Sequence, residues 1–333
     1  MIIRTLRYLA VVGTLSLAPM LSASAAQTLK ATSFLPPKHS FVQALAAWSD
    51  ELREKSGGEL SLEIFPAGQL GPPPRQYDLV NTGAADVGIV LHGTTPGRFP
   101  VSELAGLPLS YPSAGNKSEV TSRRLTELAP EYLAAEHPGV RILWMAVTPP
   151  LTVHSKTKVE SPDDMKGLRI RYAGKVFQQM IEALGASPIA VPPPKTAESL
   201  SKGIIDGATF PFEAAKAFDL GPVVKYSIEP GFASAIFTVV INEDKFQSLS
   251  PAHQKLILDT TGPDRAAAFG KLWDNSEIGG RQYLVDHGVT ITTLTDAQAG
   301  EFKKVVRPII DSSIKAVEAE GKPGQEFFDA YTK

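Results

Sequence analysis

The chain has 333 residues, 43% of them hydrophobic and 20% charged, with a formal net charge of −2. That describes a globular protein with apolar side chains for two lobes, since single cores stop growing at roughly 250 to 300 residues, and it excludes a nucleic-acid binder, which needs a strongly basic domain. Cysteine is absent, which excludes disulfides and a lipid anchor on an acylated N-terminal cysteine.

The first residues, "MIIRTLRYLAVVGTLSLAPMLSASAAQ", carry two arginines, then an uncharged apolar run, then the small residues Ala23-Ser24-Ala25. This predicts a secretory signal peptide over residues 1–25 cleaved after Ala25. The alternative is a membrane anchor, for which the apolar run is short. No later stretch is long and apolar enough to span a bilayer, so the mature protein is expected to be exported, soluble and periplasmic. Cleavage removes Arg4 and Arg7 and no acid, moving the formal charge from −2 by two more to −4.

Strand and helix patterns then alternate. Residues 28–34 alternate like a strand, and Val42, Leu45, Trp48 and Leu52 recur at helical spacing up to a stop at Gly57-Gly58. "ELSLEIF" places Leu60, Leu62 and Ile64 on one strand face. A Pro/Gly-rich turn, a short helix ending at Gly83 and the strand "DVGIVL" (86–91) follow. A helix is predicted over 117–135. "VRILWMAV" (140–147) is a nearly continuous apolar run of the kind found in a sheet covered on both faces.

"TPP" (148–150) breaks the pattern and a second lobe begins. Ser161-Pro162-Asp163-Asp164 opens a short helix with a serine cap, proline at its first position and acids against the dipole. In "GLRIRYAG" strand alternation sets Leu168, Ile170 and Tyr172 on one side and Arg169 and Arg171 on the other. Helix 175–185, strand "SPIAV", helix 195–202, a strand through "IDGATF" and strand "SAIFTVVIN" (234–242) follow. A helical stretch interrupted at Gly262-Pro263 leads to "VTITTL". Thr295 and Gln298 form a capping box for a last long helix running to about Glu320; only the final few residues are left for disorder. The alternation predicts an α/β fold with mixed, mainly parallel sheets in two lobes.

Signals for catalysis are missing. The six histidines have no metal-ligand spacing, and the chain shows no Gly-x-Ser-x-Gly elbow, no phosphate-cradling Gly-Lys loop and no thiol. No cofactor or metal is expected. The glycines and prolines instead mark turns at strand ends ("PAGQLG", "TGAADVG", "PGRFP", "ALGASP", "KGIIDG"), where open α/β sheets bind ligands.

At these residues the chain resembles the solute-binding proteins of tripartite ATP-independent periplasmic (TRAP) transporters, the DctP-like family. The ordered set "FPAGQLG", "YDLVNTGAADVG", "SPDDMKGLRIRYAG", "EALGASPIAVPPP" and "LSKGIIDGATFP" carries the resemblance. It implies two lobes joined by crossing strands and a long helix: residues 26–148 plus about 236–276, and 149–235 plus about 277–333. It also implies that Arg171 pairs with a ligand carboxylate, a role that guanidinium geometry suits, while Arg169 is read as a surface charge. Many dicarboxylate- and sialic-acid-binding relatives have an asparagine in the segment after "DG", near the place where this chain has Phe210. Many also carry a second arginine in the crossing strand, where "VTPPLTVHS" has no base before His154.

One arginine with added aromatics points to a monocarboxylate with an apolar or aromatic body. Phe210 and Phe212 are candidates for ligand contact or for core packing. Thr148, His92 and Phe34 are candidates for the opposite wall. Glu213 either helps hold a cation, as in keto-acid-binding relatives, or serves the start of its helix. The implied partners are the small and large membrane subunits of a TRAP transporter, touched only transiently. A sensory protein for a receptor kinase and an enzyme on a similar scaffold are the alternatives.

Overall fold

Among the described residues, 26–333, the computed structural model forms two β-sheets flanked by helices; the expected signal peptide lies outside the described residues. The first sheet has the order β2 (Leu60–Phe65), β1 (Gln27–Thr32), β3 (Val87–Leu91), β10 (Ile236–Asn242), β4 (Val140–Val147). The second has the order β11 (Thr290–Thr293), β9 (Tyr226–Glu229), β5 (Thr152–Ser155), β8 (Gly207–Phe210), β6 (Arg169–Tyr172), β7 (Ser187–Ala190). Every antiparallel pairing involves β5 or β10; the others are parallel.

Those two strands share a position in the path of the chain. Each follows a crossing from one sheet to the other, β5 after residues 148–151 and β10 after residues 230–235, so each enters against the direction of its new neighbours. The crossings lie side by side: Leu151 N donates to Ala233 O at 2.8 Å, and Thr148 N to Ala235 O at 3.0 Å. This hydrogen-bonded pair is a hinge between two lobes.

β4 is an edge strand, yet it is buried from Leu143 to Val147. Its free backbone groups are taken up by helix Ser118–Leu128: Met145 N donates to Thr126 Oγ1 at 3.0 Å and Val147 N to Ser122 Oγ at 2.9 Å. Polar side chains thereby conceal an edge that could otherwise pair with another chain. That helix is shorter than the pattern suggested, passing at Ala129 into a wider turn that contains Pro130.

The third connection is helix Pro263–Asp286, whose 24 residues span about 36 Å. It docks one helix of each lobe by the same device. Toward the first lobe, a Cβ on Gly270 would fall 2.4 Å from Ser118 O, and Asp274 accepts from Ser118 N (2.9 Å) and Glu119 N (3.1 Å). Toward the second, a Cβ on Gly280 would fall 2.3 Å from Phe212 O, and Glu277 accepts from Phe212 N (2.9 Å) and Glu213 N (2.7 Å). Each glycine permits close approach, and each acid satisfies orphan N–H groups at a helix start.

The C-terminal region differs from expectation. The Thr295/Gln298 capping box forms, but the helix is broken into Asp296–Val306 and Pro308–Ala319, because Pro308 lacks an N–H and crowds the preceding turn. The last residues form a further helix, Gly324–Thr332, with Phe327 and Tyr331 fully buried. It packs on helix Ser118–Leu128 of the first lobe, where Arg124 Nε donates to Ala330 O at 3.1 Å.

Candidate functional site

Arg171 sits on β6, flanked by Ile189 of β7 and Ala208 of β8. It is 1% exposed. Its Nε donates to Val191 O (3.0 Å) and Nη1 to Thr209 O (3.1 Å), which fixes the plane of the guanidinium. Cζ lies 4.2 Å from the centroid of the Phe210 ring, a cation–π contact. Nη2 is buried with no partner, and among the described residues no carboxylate pairs with this side chain. Burial pushes its pKa down to about 9, so the cation persists at neutral pH. A buried charge without a counterion is costly, and two backbone carbonyls offset only part of that cost. The group is therefore preorganised for an anion.

Its neighbour on the same strand face behaves differently. The Arg169 side chain is 45% exposed and is held by both oxygens of Asp206, at 2.9 and 2.8 Å. It is a surface charge, as expected, but a paired one.

Arg171 opens onto a cavity between the lobes, about 400 Å³ of empty space when its mouth open to solvent is included. Phe210 and Pro193 line it from the second lobe, and Phe34, Leu91 and Phe237 from the first. Thr148 and Ala235 come from the crossings and Trp273 from the long helix. Phe237 stacks on Phe34 at 6.4 Å between centroids and meets the Trp273 ring edge-on at 5.6 Å. The lobes touch at the rim: a Cβ on Gly93 would lie 2.8 Å from the Ala173 carbonyl and from Gly174 Cα. The cleft is closed.

Few polar atoms in this wall are unspent. Thr148 Oγ1 accepts from Ala235 N at 2.9 Å, which leaves its own proton to donate. His39 also lines the wall, but its Nδ1 accepts from Phe41 N (3.1 Å) and its Nε2 faces Glu213. Burial lowers the His39 pKa against the opposing pull of Glu213, so the ring is neutral. The cavity thus presents donors, one of them charged, among apolar rings.

Of the residues singled out from the sequence, Arg171, Phe210, Thr148 and Phe34 come together in this wall, whereas His92 and Phe212 do not. His92 is fully buried behind it, stacked on Phe99 at 4.0 Å with Nε2 2.6 Å from Thr238 Oγ1. Phe212 packs against the edge of the His154 ring at 5.6 Å. His154 in turn contacts the Phe210 carbonyl through Nε2 at 3.0 Å and Ser227 through Nδ1 at 2.7 Å, which steadies the strand end. Glu213 caps a helix, though not its own: it accepts from Ser40 N and Ser40 Oγ in the other lobe, both at 2.9 Å.

Sequence reasoning missed Phe237, Trp273 and His39. Phe237 follows the second crossing directly and His39 follows the carboxyl end of β1, positions where a search of strand ends and crossovers could have found them. Trp273 reads in sequence as one more apolar residue of a long helix.

Two α/β lobes, a hinge of paired crossings and a closed cleft holding one preorganised cation define a bilobed ligand receptor. The chain belongs to the bacterial extracellular solute-binding protein family 7, DctP, whose model matches residues 31–316. It is a solute-binding receptor and not an enzyme. A TRAP solute-binding protein from Rhodoferax ferrireducens, solved with copurified benzoate, is similar at 28% identity and a TM-score of 0.88, covering 92% of this chain and 96% of that one. A marine metagenome TRAP protein specific for aromatic acid ligands, solved with 3-hydroxybenzoate, is 32% identical with a TM-score of 0.86, over 92% and 97% of the two chains. A Bordetella bronchiseptica TRAP protein with bound (R)- and (S)-mandelate is 30% identical with a TM-score of 0.83, over 92% and 97%.

Proposed function

We propose that this receptor captures a monocarboxylate with an apolar or aromatic body in the periplasm and delivers it to the small and large membrane subunits of a TRAP transporter. The observation that carries the reading is the buried, unpartnered Nη2 of Arg171 at the wall of an apolar cavity. One ligand carboxylate would accept from Nη2 and from the Thr148 hydroxyl, and the body would lie among Phe34, Phe210, Phe237 and Trp273. A second carboxylate would meet rings instead of a cation and lose its hydration without compensation. Aromatic acids in three similar structures support this choice of ligand. His92 and Phe212 act from behind the wall, by packing.

In this reading residues 1–25 direct export. The lobes are 26–148 with about 236–276, and 149–235 with the chain from about 277; helix Gly324–Thr332 goes with the first lobe, on which it packs. The test is a thermal-shift and calorimetric screen of the mature protein. Benzoate, hydroxybenzoates and mandelate should raise the midpoint, since a ligand at 100 times its Kd adds about 2.7 kcal/mol. Dicarboxylates should act more weakly. A response confined to sugars or cationic amines would refute the proposal.

A further inference from the structure

Glu213 belongs to helix Phe212–Ala217 of the second lobe, but its carboxylate is buried against the first. Oε1 accepts from Ser40 N and Ser40 Oγ, each at 2.9 Å, at the start of helix Ser40–Lys55. The Ser40 hydroxyl has a single proton to share with Ser276 Oγ at 3.1 Å, so the Ser40 N–H is the firmer donor. Oε2 accepts from Trp273 Nε1 at 3.3 Å and lies 3.5 Å from His39 Nε2. That nitrogen carries the ring proton, because Nδ1 is the acceptor for Phe41 N. His39, Ser40, Glu213 and Trp273 are each at most 5% exposed. Glu277 on the long helix holds the arm in place by accepting from Glu213 N.

We propose that Glu213 is the closure latch of the receptor, a positioning residue whose carboxylate holds the two lobes together once ligand is seated; this rests on the receptor reading above. The Ser40 and His39 donors lie in the lobe opposite the acceptor, so rotation about the hinge separates them. In the open form water serves both sides, whereas in the closed form the orphan N–H at a helix start meets an anion in a dry site, where charge-assisted bonds are strongest. His39 and Trp273 also line the ligand cavity. The same two side chains therefore touch ligand and latch, which ties occupancy to closure.

The test uses the mature protein with benzoate as probe. Glu213→Gln keeps the shape but turns an amide N–H₂ toward donors. Ser40→Pro breaks the latch from the other lobe: Ser40 is the first residue of its helix, where proline is favoured, and the preceding His39 is extended, as proline requires. In both variants benzoate release in stopped-flow should accelerate roughly tenfold to a hundredfold, as expected from losing a charged hydrogen bond. Association and the denaturation midpoint of the ligand-free protein should stay close to wild type. A merely structural residue would instead lower the ligand-free midpoint as much as the ligand-bound one, and that outcome overturns the latch. So does a wild-type release rate in Ser40→Pro, which decides the matter even where Glu213→Gln fails to fold. Failure of the wild type to bind any carboxylate brings down the receptor reading as well.

Discussion

The second lobe brings to the cleft a buried guanidinium whose plane is set by two backbone carbonyls and by the Phe210 ring. The first lobe brings Phe34, Leu91 and Phe237, which offer shape and no charge. The charge that attracts an anion, and the plane in which that charge is held, are therefore set on one lobe before the other arrives. What the first lobe adds is gained only on closing, and that difference is what a ligand needs to shift the population from open to closed. If the division is real, substitutions on the two walls should fail in different ways.

The largest effect belongs to the charged wall. Arg171→Met should cost about 2 to 5 kcal/mol of benzoate binding, as breaking a buried charge pair does. The ligand-free protein should become more stable, because an apolar side chain of similar length replaces a cation that lacks a counterion. Titration calorimetry and urea denaturation on one preparation check both halves. Undiminished affinity would remove the anchor, and a drop in ligand-free stability would mean the cation is better satisfied than its bonding indicates.

Next come the two docking points on the long helix, which look alike but serve different walls. Gly280→Ala and Gly270→Ala each push a Cβ into a carbonyl, at 2.3 and 2.4 Å, and each should cost about 1 to 3 kcal/mol of stability. Only Gly280→Ala should also weaken benzoate binding, since it displaces the helix that starts beside Phe210 and carries Glu213. Equal loss of affinity in both variants would show that the walls are not independent.

The pH dependence of the second docking point is set by burial, which pushes the Glu277 pKa up to about 8, with Glu213 and Asp274 adding to the effect. A carboxyl raised in the folded state binds its proton more tightly there than when unfolded. Its contribution therefore falls as pH rises from the ordinary 4.5 through about 8. Denaturation midpoints taken from pH 5 to pH 8 should show this decline, and Glu277→Gln should flatten it. An unchanged slope in the variant would place the titration elsewhere.

On the apolar wall, Phe237→Leu should weaken an aromatic acid by about 1 kcal/mol, the usual value of an aromatic pair beyond its area. An aliphatic acid of similar size should lose less. Comparing benzoate with cyclohexanecarboxylate by calorimetry measures the difference. Equal losses would mean that the first lobe reads size alone.

How much of this was legible beforehand depended on the range of the interactions involved. Runs such as 140–147 and boxes such as Thr295/Gln298 are local, and they appear where periodicity and capping put them. Arg171 was legible because alternation placed it on a strand face and a resemblance gave that face a role. Glu213 shows the opposite case. An acid at the start of a helix reads as serving that helix, and nothing nearby in sequence says that its partner is Ser40, 173 positions away. The docking acids Asp274 and Glu277 were hidden likewise, because the helix starts they satisfy are distant in sequence. His92 was misplaced for a related reason: it follows a strand end, but its ring turns back to stack on Phe99 instead of facing the cleft.

The smallest expected effect isolates the charge from its place. Arg169 and Arg171 share a strand, a residue type and a side of the sheet, and they differ in what surrounds them. Arg169 has a carboxylate partner and water; Arg171 has carbonyls, a ring and an unused N–H. An exposed pair of this kind contributes at most about 1 kcal/mol, so Arg169→Ala should shift stability within that bound and leave benzoate affinity at the wild-type value. Asp206 also accepts the Arg169 backbone N–H at 2.9 Å, so the strand keeps its register when the side chain is removed. A tenfold loss of affinity in Arg169→Ala would mean that the site responds to the summed positive field of β6, and the assignment of recognition to one oriented guanidinium would have to be given up.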